Sequence, residues 1–269
     1  MTVVVTYRRT DLLMRCVDAV LAQTRPPEAV LVVDNGGIAR EALGDRDGVE
    51  IVDPGLNLGP AGGYEMGFRE ALERAADKVW TVDDDVVPDH DCLERLEAAS
   101  SGDDVCIPLQ RKPGGGHGAA DREHGHPPSW NGVLFDAAVV RVVGAPRGDL
   151  FFWAEDTEFH QRIRWAGFPI RPVRDAGVLH LNPGARERGA GRDWQLYYEV
   201  RNGLYVRLRL RPFSLKQWRR AWGAVLGKLV AIVLLEPRKG RSLRLWFMGW
   251  RDYRRGRLGK VVDPETWRE

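Results

Sequence analysis

Apolar positions along the first half of the chain follow two alternating rhythms. Thr2–Thr6 is an unbroken β-branched run, the pattern of a strand buried on both faces. Asp11–Gln23 then places Leu12, Leu13, Cys16, Val17, Val20 and Leu21 at helical spacing, with Thr10 or Asp11 as the expected cap. Ala29–Val33 predicts a second buried strand, ended by the turn signal Asp34-Asn35-Gly36-Gly37. Val49–Val52 predicts a third strand, and Pro60–Ala76 a helix whose first turns are crowded with glycine. A fourth strand, Val79–Val82, runs straight into Asp83-Asp84-Asp85. This alternation predicts an α/β fold with a mostly parallel sheet covered by helices on both faces. Ligands of such sheets sit beyond the carboxyl ends of the strands. Asp34, Asn57 and Asp83–Asp85 all fall at or just after such ends, which marks a candidate site.

The middle of the chain breaks this rhythm. Arg111–Pro128 is rich in Gly, Pro and His without periodicity and reads as an exposed loop or lid. Trp130–Phe135 reads as a strand and Asp136–Val143 as a short helix. Phe151-Phe152-Trp153 leads into a helix over Glu155–Ala166, and Ile170–Val173 and Gly177–Leu181 read as two short strands. From Trp194 onward the chain is helical, basic and Trp-rich. A catalytic domain over 1–190 and a helical appendage over 191–269 follow as the expected division.

Charge sharpens that boundary. The 269 residues carry a net charge of only +2, yet residues 201–260 hold 17 Lys/Arg against Glu236 and Asp252, leaving the rest acidic. Trp218 and Trp222, and Trp246 and Trp250, stand four apart and share helix faces. Three readings are open for this tail: an anionic membrane surface, a core-packed helical cap, or nucleic acid, the last without any supporting motif. Cys16, Cys92 and Cys106 have no metal-type spacing and are expected to be buried reduced thiols, which fits a reducing compartment. The chain enters a strand at once, with no basic segment ahead of it, and Ala221–Leu235 is too short to span a bilayer. A cytoplasmic enzyme, peripheral at most to the inner face of the plasma membrane, is the expectation.

Asp83-Asp84-Asp85 is the strongest local chemical signal. Three adjacent carboxylates at a strand end require a counter-cation, and alternate residues of an extended segment would let Asp83 and Asp85 face one ion, Mg²⁺ or Mn²⁺. A solvated acidic turn is the competing reading. The stretch Asn57-Leu58-Gly59-Pro60-Ala61-Gly62-Gly63, followed by Gly67, either approaches an anionic ligand or packs a helix closely. It lacks the spacing of a Walker or dinucleotide loop. Glu155-Asp156 opens a helix either as a cap or as a general base beside an aromatic acceptor platform, and Glu158 reads as a helix-dipole residue. His180 is either a hydrogen-bonded structural histidine or part of a metal site. A zinc site at His117, His124 and His126 lacks an accompanying cysteine.

Taken in order, these motifs resemble the family 2 glycosyltransferases, nearest to the bacterial galactofuranosyltransferase and rhamnosyltransferase branches. The matching residues are Thr6-Tyr7-Arg8, Val33-Asp34-Asn35-Gly36, Asn57–Gly63, Asp83-Asp84-Asp85, Trp153-Ala154-Glu155-Asp156, His180 and Tyr197-Tyr198-Glu199-Val200-Arg201-Asn202. The resemblance implies a nucleotide-sugar-binding fold of the glycosyltransferase A type. It implies that Thr6, Tyr7 and Arg8 line the nucleotide pocket and Asp34 contacts the base. Asn57, Gly62, Gly63 and Asp84 lie near the donor, while Asp83, Asp85 and His180 hold a divalent metal. Asp156, with Glu155 beside it, deprotonates the acceptor. The donor implied is a UDP- or dTDP-sugar and the acceptor a glycan, a polyprenyl-linked sugar or a small molecule. Two rivals are a nucleotidyltransferase, for which Tyr7-Arg8-Arg9 lacks the glycines, and a non-enzymatic nucleotide-sugar-binding protein at a membrane.

Overall fold

The computed structural model describes residues 1–114, 129–181, 193–210, 214–236 and 239–267. His117, His124, His126 and most of the expected 111–128 loop lie outside them. The chain divides into two units. One comprises Met1–Gly148 with Asp156–Ala185, the other Asp149–Glu155 with Arg186–Glu269.

The first unit is built on strand β1 (Thr2–Thr6), whose five residues are all buried. It lies between β2 (Val30–Asp34) and β4 (Lys78–Asp83), with β3 (Val49–Val52) outside β2, and all these pairings are parallel. Beyond β4 the sheet becomes mixed. β7 (Val133–Asp136) is antiparallel to β4 and to β6 (Val105–Arg111), while β8 (Ile170–His180) is parallel to β6 and antiparallel to β5 (Val86–Pro88). The eight strands stand in the order β3-β2-β1-β4-β7-β6-β8-β5. The parallel expectation therefore holds for the first half only, because apolar periodicity carries no information on strand direction. The two short strands expected at 170–173 and 177–181 are one strand, interrupted by a register shift opposite Pro108 and Leu109.

Alternation along β1 sorts the core into two layers. Val4 joins Leu13, Cys16 and Val17 of α1 (Thr10–Leu21), Leu43 of α2 (Ala39–Leu43) and Leu96 of α4 (Cys92–Ala99). Val3 and Val5 join Tyr64 and Phe68 of α3 (Gly59–Glu73), Val140 of α5 (Ala137–Val143) and Phe159 of α6 (Glu155–Trp165). Helices thus cover both faces, as expected. Neither Thr10 nor Asp11 caps α1: the cap position is Arg9, which makes no capping bond because a guanidinium has no acceptor to offer the first amides. Gly63 and Gly67 let α3 sit directly on β1. A Cβ on Gly63 would lie 2.5 Å from Val5 Cγ1, and one on Gly67 2.2 Å from Val3 Cγ1. The three cysteines are free and buried, as expected.

The second unit packs α7 (Gln195–Leu208), α8 (Leu215–Leu235) and α9 (Lys239–Arg255) around Val200, Leu204, Ala221 and Val225. Trp222, Trp246 and Trp250 are part of this core, and Trp246 Nε1 donates to the Val225 carbonyl at 2.9 Å. Trp222, Trp246 and Trp250 thus follow the core-packed reading of the tail, since an indole buries more apolar area than the aliphatic residues beside it, whereas Trp218 is exposed. No helix among the described residues is long and apolar enough to cross a membrane.

Candidate active site

Strand register brings the first candidates together. Thr6 pairs with Asp34, and Val5 with Asp83, so the ends of β2, β1 and β4 are level. The chain leaves its strand at Asp83 and turns through Asp84 and Asp85. The alternation that was to aim Asp83 and Asp85 the same way therefore stops at Asp83. Each carboxylate finds its own partner. Tyr64 donates its hydroxyl to Asp83 Oδ1 at 2.6 Å, and Thr6 Oγ1 donates to Asp84 Oδ2 at 2.8 Å. Arg9 bridges Asp84 at 3.0 Å and Asp85 at 2.8 Å. His180 Nε2 lies 3.2 Å from Asp85 Oδ1, and its Nδ1 faces Asn131 Nδ2 at 3.4 Å.

One guanidinium faces three carboxylates, and the electrostatics record the excess. Burial, then the charge of Asp85, pushes Asp83 up to about 7. Burial also raises Asp84, against the pull of Arg9. Burial works against the charge on Asp85, but His180 and Arg9 outweigh it and lower its pKa. Among the described residues no three His, Cys, Asp or Glu side chains form a ready ligand set. The donor chemistry nevertheless fits a hard divalent cation: two carboxylates and an imidazole at an over-anionic strand end, with the buried Asn131 Oδ1 left without a hydrogen-bond partner beside them.

The other donor-side candidates are held by local bonds. Asp34 accepts from the amides of Gly36 at 3.1 Å and Ala39 at 2.6 Å, which closes the turn into α2. Asn57 Oδ1 accepts from Gly59 N at 2.8 Å. Gly62 and Gly63 are buried in the first turns of α3, and a Cβ on Gly62 would lie 2.6 Å from Leu58 Cβ, so close packing alone requires both to be glycine. Arg8 holds φ at 54° and stacks over the ring of Tyr7 at 5.2 Å.

Asp156 lies in the first turn of α6 and belongs to the first unit. Its carboxylate accepts from the N–H and the hydroxyl of Thr157 in that first turn. Burial pushes it up to about 6. Four residues on, His160 is fully buried, with Nδ1 2.8 Å from the Asp156 carbonyl, and burial lowers its pKa to about 4. Glu158, in the first turn of α6, is buried and receives a hydrogen bond from Arg162 at 2.7 Å.

In the second unit, buried Glu155 ends a loop with three non-glycine residues in left-handed conformations: Phe151 at φ 61°, Trp153 at 73° and Ala154 at 68°. Such backbone persists only where its surroundings over-determine it. Asn202 does so, its Nδ2 donating to the carbonyls of Leu150 at 2.9 Å, Phe152 at 2.7 Å and Trp153 at 3.0 Å. Arg201, fully buried, adds bonds to Leu150 O at 3.0 Å and Gly259 O at 2.7 Å. Phe151, expected on an acceptor platform, is core and packs on Tyr198 at 5.0 Å.

The family model for glycosyl transferase family 2 matches residues 2–142, the segment that contains β1 through α5 and the carboxylate cluster. The chain belongs to glycosyl transferase family 2. It is 32% identical over 208 residues to galactofuranosyltransferase GlfT1 of Mycobacterium tuberculosis (strain ATCC 25618 / H37Rv), covering 66% of this chain and 68% of that one. It is 30% identical over 209 residues to GlfT1 of Mycolicibacterium smegmatis, covering 66% and 69%. In fold it resembles mannosyltransferase PcManGT from Pyrobaculum calidifontis, solved with GDP-Man and Mn²⁺, with TM-score 0.59 at 16% identity over 94% of this chain and 86% of that one. It also resembles S. aureus TarS 1-349, with TM-score 0.56 at 17% identity over 95% and 91%. The protein is a glycosyltransferase, which sets aside the nucleotidyltransferase and the non-enzymatic binder.

Four residues of the candidate site have no role assigned by the sequence alone. Arg9 supplies the counter-cation, Tyr64 the hydroxyl on Asp83, and Asn131 the partner of His180. Asn35 ties α3 to the end of β2 through bonds to Gly59 O at 3.0 Å and Leu58 N at 3.1 Å. Arg201 and Asn202 brace the left-handed loop over residues 151–154. Asn202→Ala takes their donor from the Phe152 and Trp153 carbonyls, at roughly 1–3 kcal/mol each, while Leu150 O keeps its bond from Arg201. We expect a lower thermal midpoint and a kcat reduced about tenfold or more through loss of a positioned loop, with donor affinity kept; unchanged kcat would separate the loop from the chemistry.

Proposed function

We propose that this glycosyltransferase moves a galactofuranosyl residue from its UDP-linked donor to a glycan hydroxyl, with inversion at the anomeric carbon. The observation that carries this reading is the over-anionic end of β4, where Asp85 meets His180 beside Asp83 and a single bridging guanidinium. Similarity to two galactofuranosyltransferases favours this sugar over rhamnose.

Asp83, Asp85 and His180 would hold a divalent cation, Mg²⁺ or Mn²⁺, which when bound supplies charge neutralisation for the departing diphosphate. Thr6, Tyr7, Arg8 and Asp34 would border the nucleotide at the level ends of β1 and β2, with Asn57, Gly62, Gly63 and Asp84 near the donor. Asp156 takes the acceptor's proton as its oxygen attacks from the face opposite the leaving group. Glu155 stands beside it as the anchored end of the strained loop. One displacement at one carbon inverts its configuration, and no enzyme nucleophile is required.

A donor panel tests this. UDP-galactofuranose should be hydrolysed or transferred only with Mg²⁺ or Mn²⁺ present and should raise the thermal midpoint in their presence. Preference for a dTDP-sugar, or turnover undiminished by EDTA, would overturn the donor or the metal assignment respectively.

A further inference from the structure

We infer that the outward face of α8 is an interfacial anchor that lies on an anionic bilayer without crossing it. Between Ala221 and Leu235 the only charged residue is Lys228. Lys228 does not serve the outer surface. Its Nζ forms an ion pair with Glu199 of α7, on the side of α8 where Ala221, Val225 and Ile232 are buried. On the opposite side Leu226, Val230, Val233 and Leu234 are exposed, Leu234 at 70%. At 100° per residue, Gly223, Leu226, Gly227, Val230, Val233 and Leu234 fall on one face. The outcome is an uncharged apolar strip about 17 Å long, on a side of the helix where a water-facing protein carries polar groups.

The flanking charges identify what covers it. Lys216, Arg219 and Arg220 are exposed in the first turns of α8, and Lys239 and Arg244 are exposed on α9. This basic border complements anionic headgroups. A second copy would bring the same cations together. An apolar strip with a basic border is the pattern of a helix lying in the plane of the interface, its aliphatic side chains reaching below the headgroups. The strip is too short to span the hydrocarbon core, in keeping with the lack of a membrane-crossing helix among the described residues.

The test is cosedimentation of the full chain with vesicles of phosphatidylcholine alone or with phosphatidylglycerol, at low and high salt. We expect binding that requires phosphatidylglycerol and weakens as salt rises. The triple variant Leu226→Gln/Val230→Gln/Leu234→Gln should lose at least about tenfold in binding and keep its thermal midpoint, since those side chains already face outward. The singles Val230→Gln and Leu234→Gln serve if the triple variant unfolds. Arg219→Gln/Arg220→Gln should lose about fivefold per charge without loss of fold. No binding to any vesicle at low salt, or full binding by the aliphatic variants, would overturn the proposal. So would a concentration-dependent dimer in sedimentation velocity that the same variants dissociate, which would assign the strip to a second copy.

Discussion

Asp156→Asn is expected to lower kcat by about three orders of magnitude, within the range for loss of a positioned base, while donor affinity stays at the wild-type value. The amide keeps the shape of the carboxylate but accepts no proton, so the loss falls on the step in which the acceptor hydroxyl is deprotonated. The pH profile gives the same prediction a sign. With the carboxyl pushed up to about 6 by burial, wild-type turnover should fall as pH drops through that value along a one-proton limb. Stability should move the other way. A carboxyl whose folded pKa lies above its unfolded value of 3.8 favours folding below 3.8, and this contribution is lost as pH rises through about 6. At pH 8 the neutral Asn variant should therefore be more stable than wild type, by on the order of 2 kcal/mol, and near acid pH the two should converge. Thermal melts at pH 8 and pH 4 beside steady-state kinetics read both effects. A variant that turns over normally removes Asp156 from the role of base.

Asp85→Asn is the second large effect. Asp85 is the carboxylate on which Arg9 and His180 converge, at 2.8 and 3.2 Å. Removing its charge leaves His180 without its anionic partner and removes one hard oxygen donor from the proposed cation site. We expect kcat/KM to fall by about 10³ or more, several kcal/mol of transition-state stabilisation being lost with a metal ligand. Calorimetry of UDP binding with and without Mn²⁺ provides a readout apart from turnover: wild type should bind more tightly with the ion, and the variant should show no such gain. Retained metal-dependent binding would place the cation elsewhere.

Much of this could be read along the chain. The apolar run at Thr2–Thr6 and the helical spacing over Asp11–Gln23 announced β1 and α1 because local periodicity reports local burial. Asp83–Asp85 was visible as a candidate site because carboxylates crowded after a buried strand repel one another without a counter-charge. Direction was not legible: the antiparallel entry of β7 between β4 and β6 leaves no mark on the spacing of Val133, Leu134 and Phe135. Nor were glycine roles. Gly63 and Gly67 looked like a ligand loop or a packing surface until Val5 and Val3 were found beneath them.

The sequence by itself determined the alternation of strands and helices, the acidic strand end and its place beyond β4, and the basic character of residues 201–260. These are properties of neighbours in the chain. Only the tertiary structure decided which cation answers the carboxylates, since Arg9 and Asp84 stand 75 residues apart. It decided that Asn202 braces three strained carbonyls some fifty residues away. It also turned Lys228 inward to Glu199, leaving the outer face of α8 uncharged, and drew three tryptophans into the helical core. Charge pairing and close packing act through space, so the identity of a partner follows from the fold, whereas periodicity fixes only which side of an element is buried.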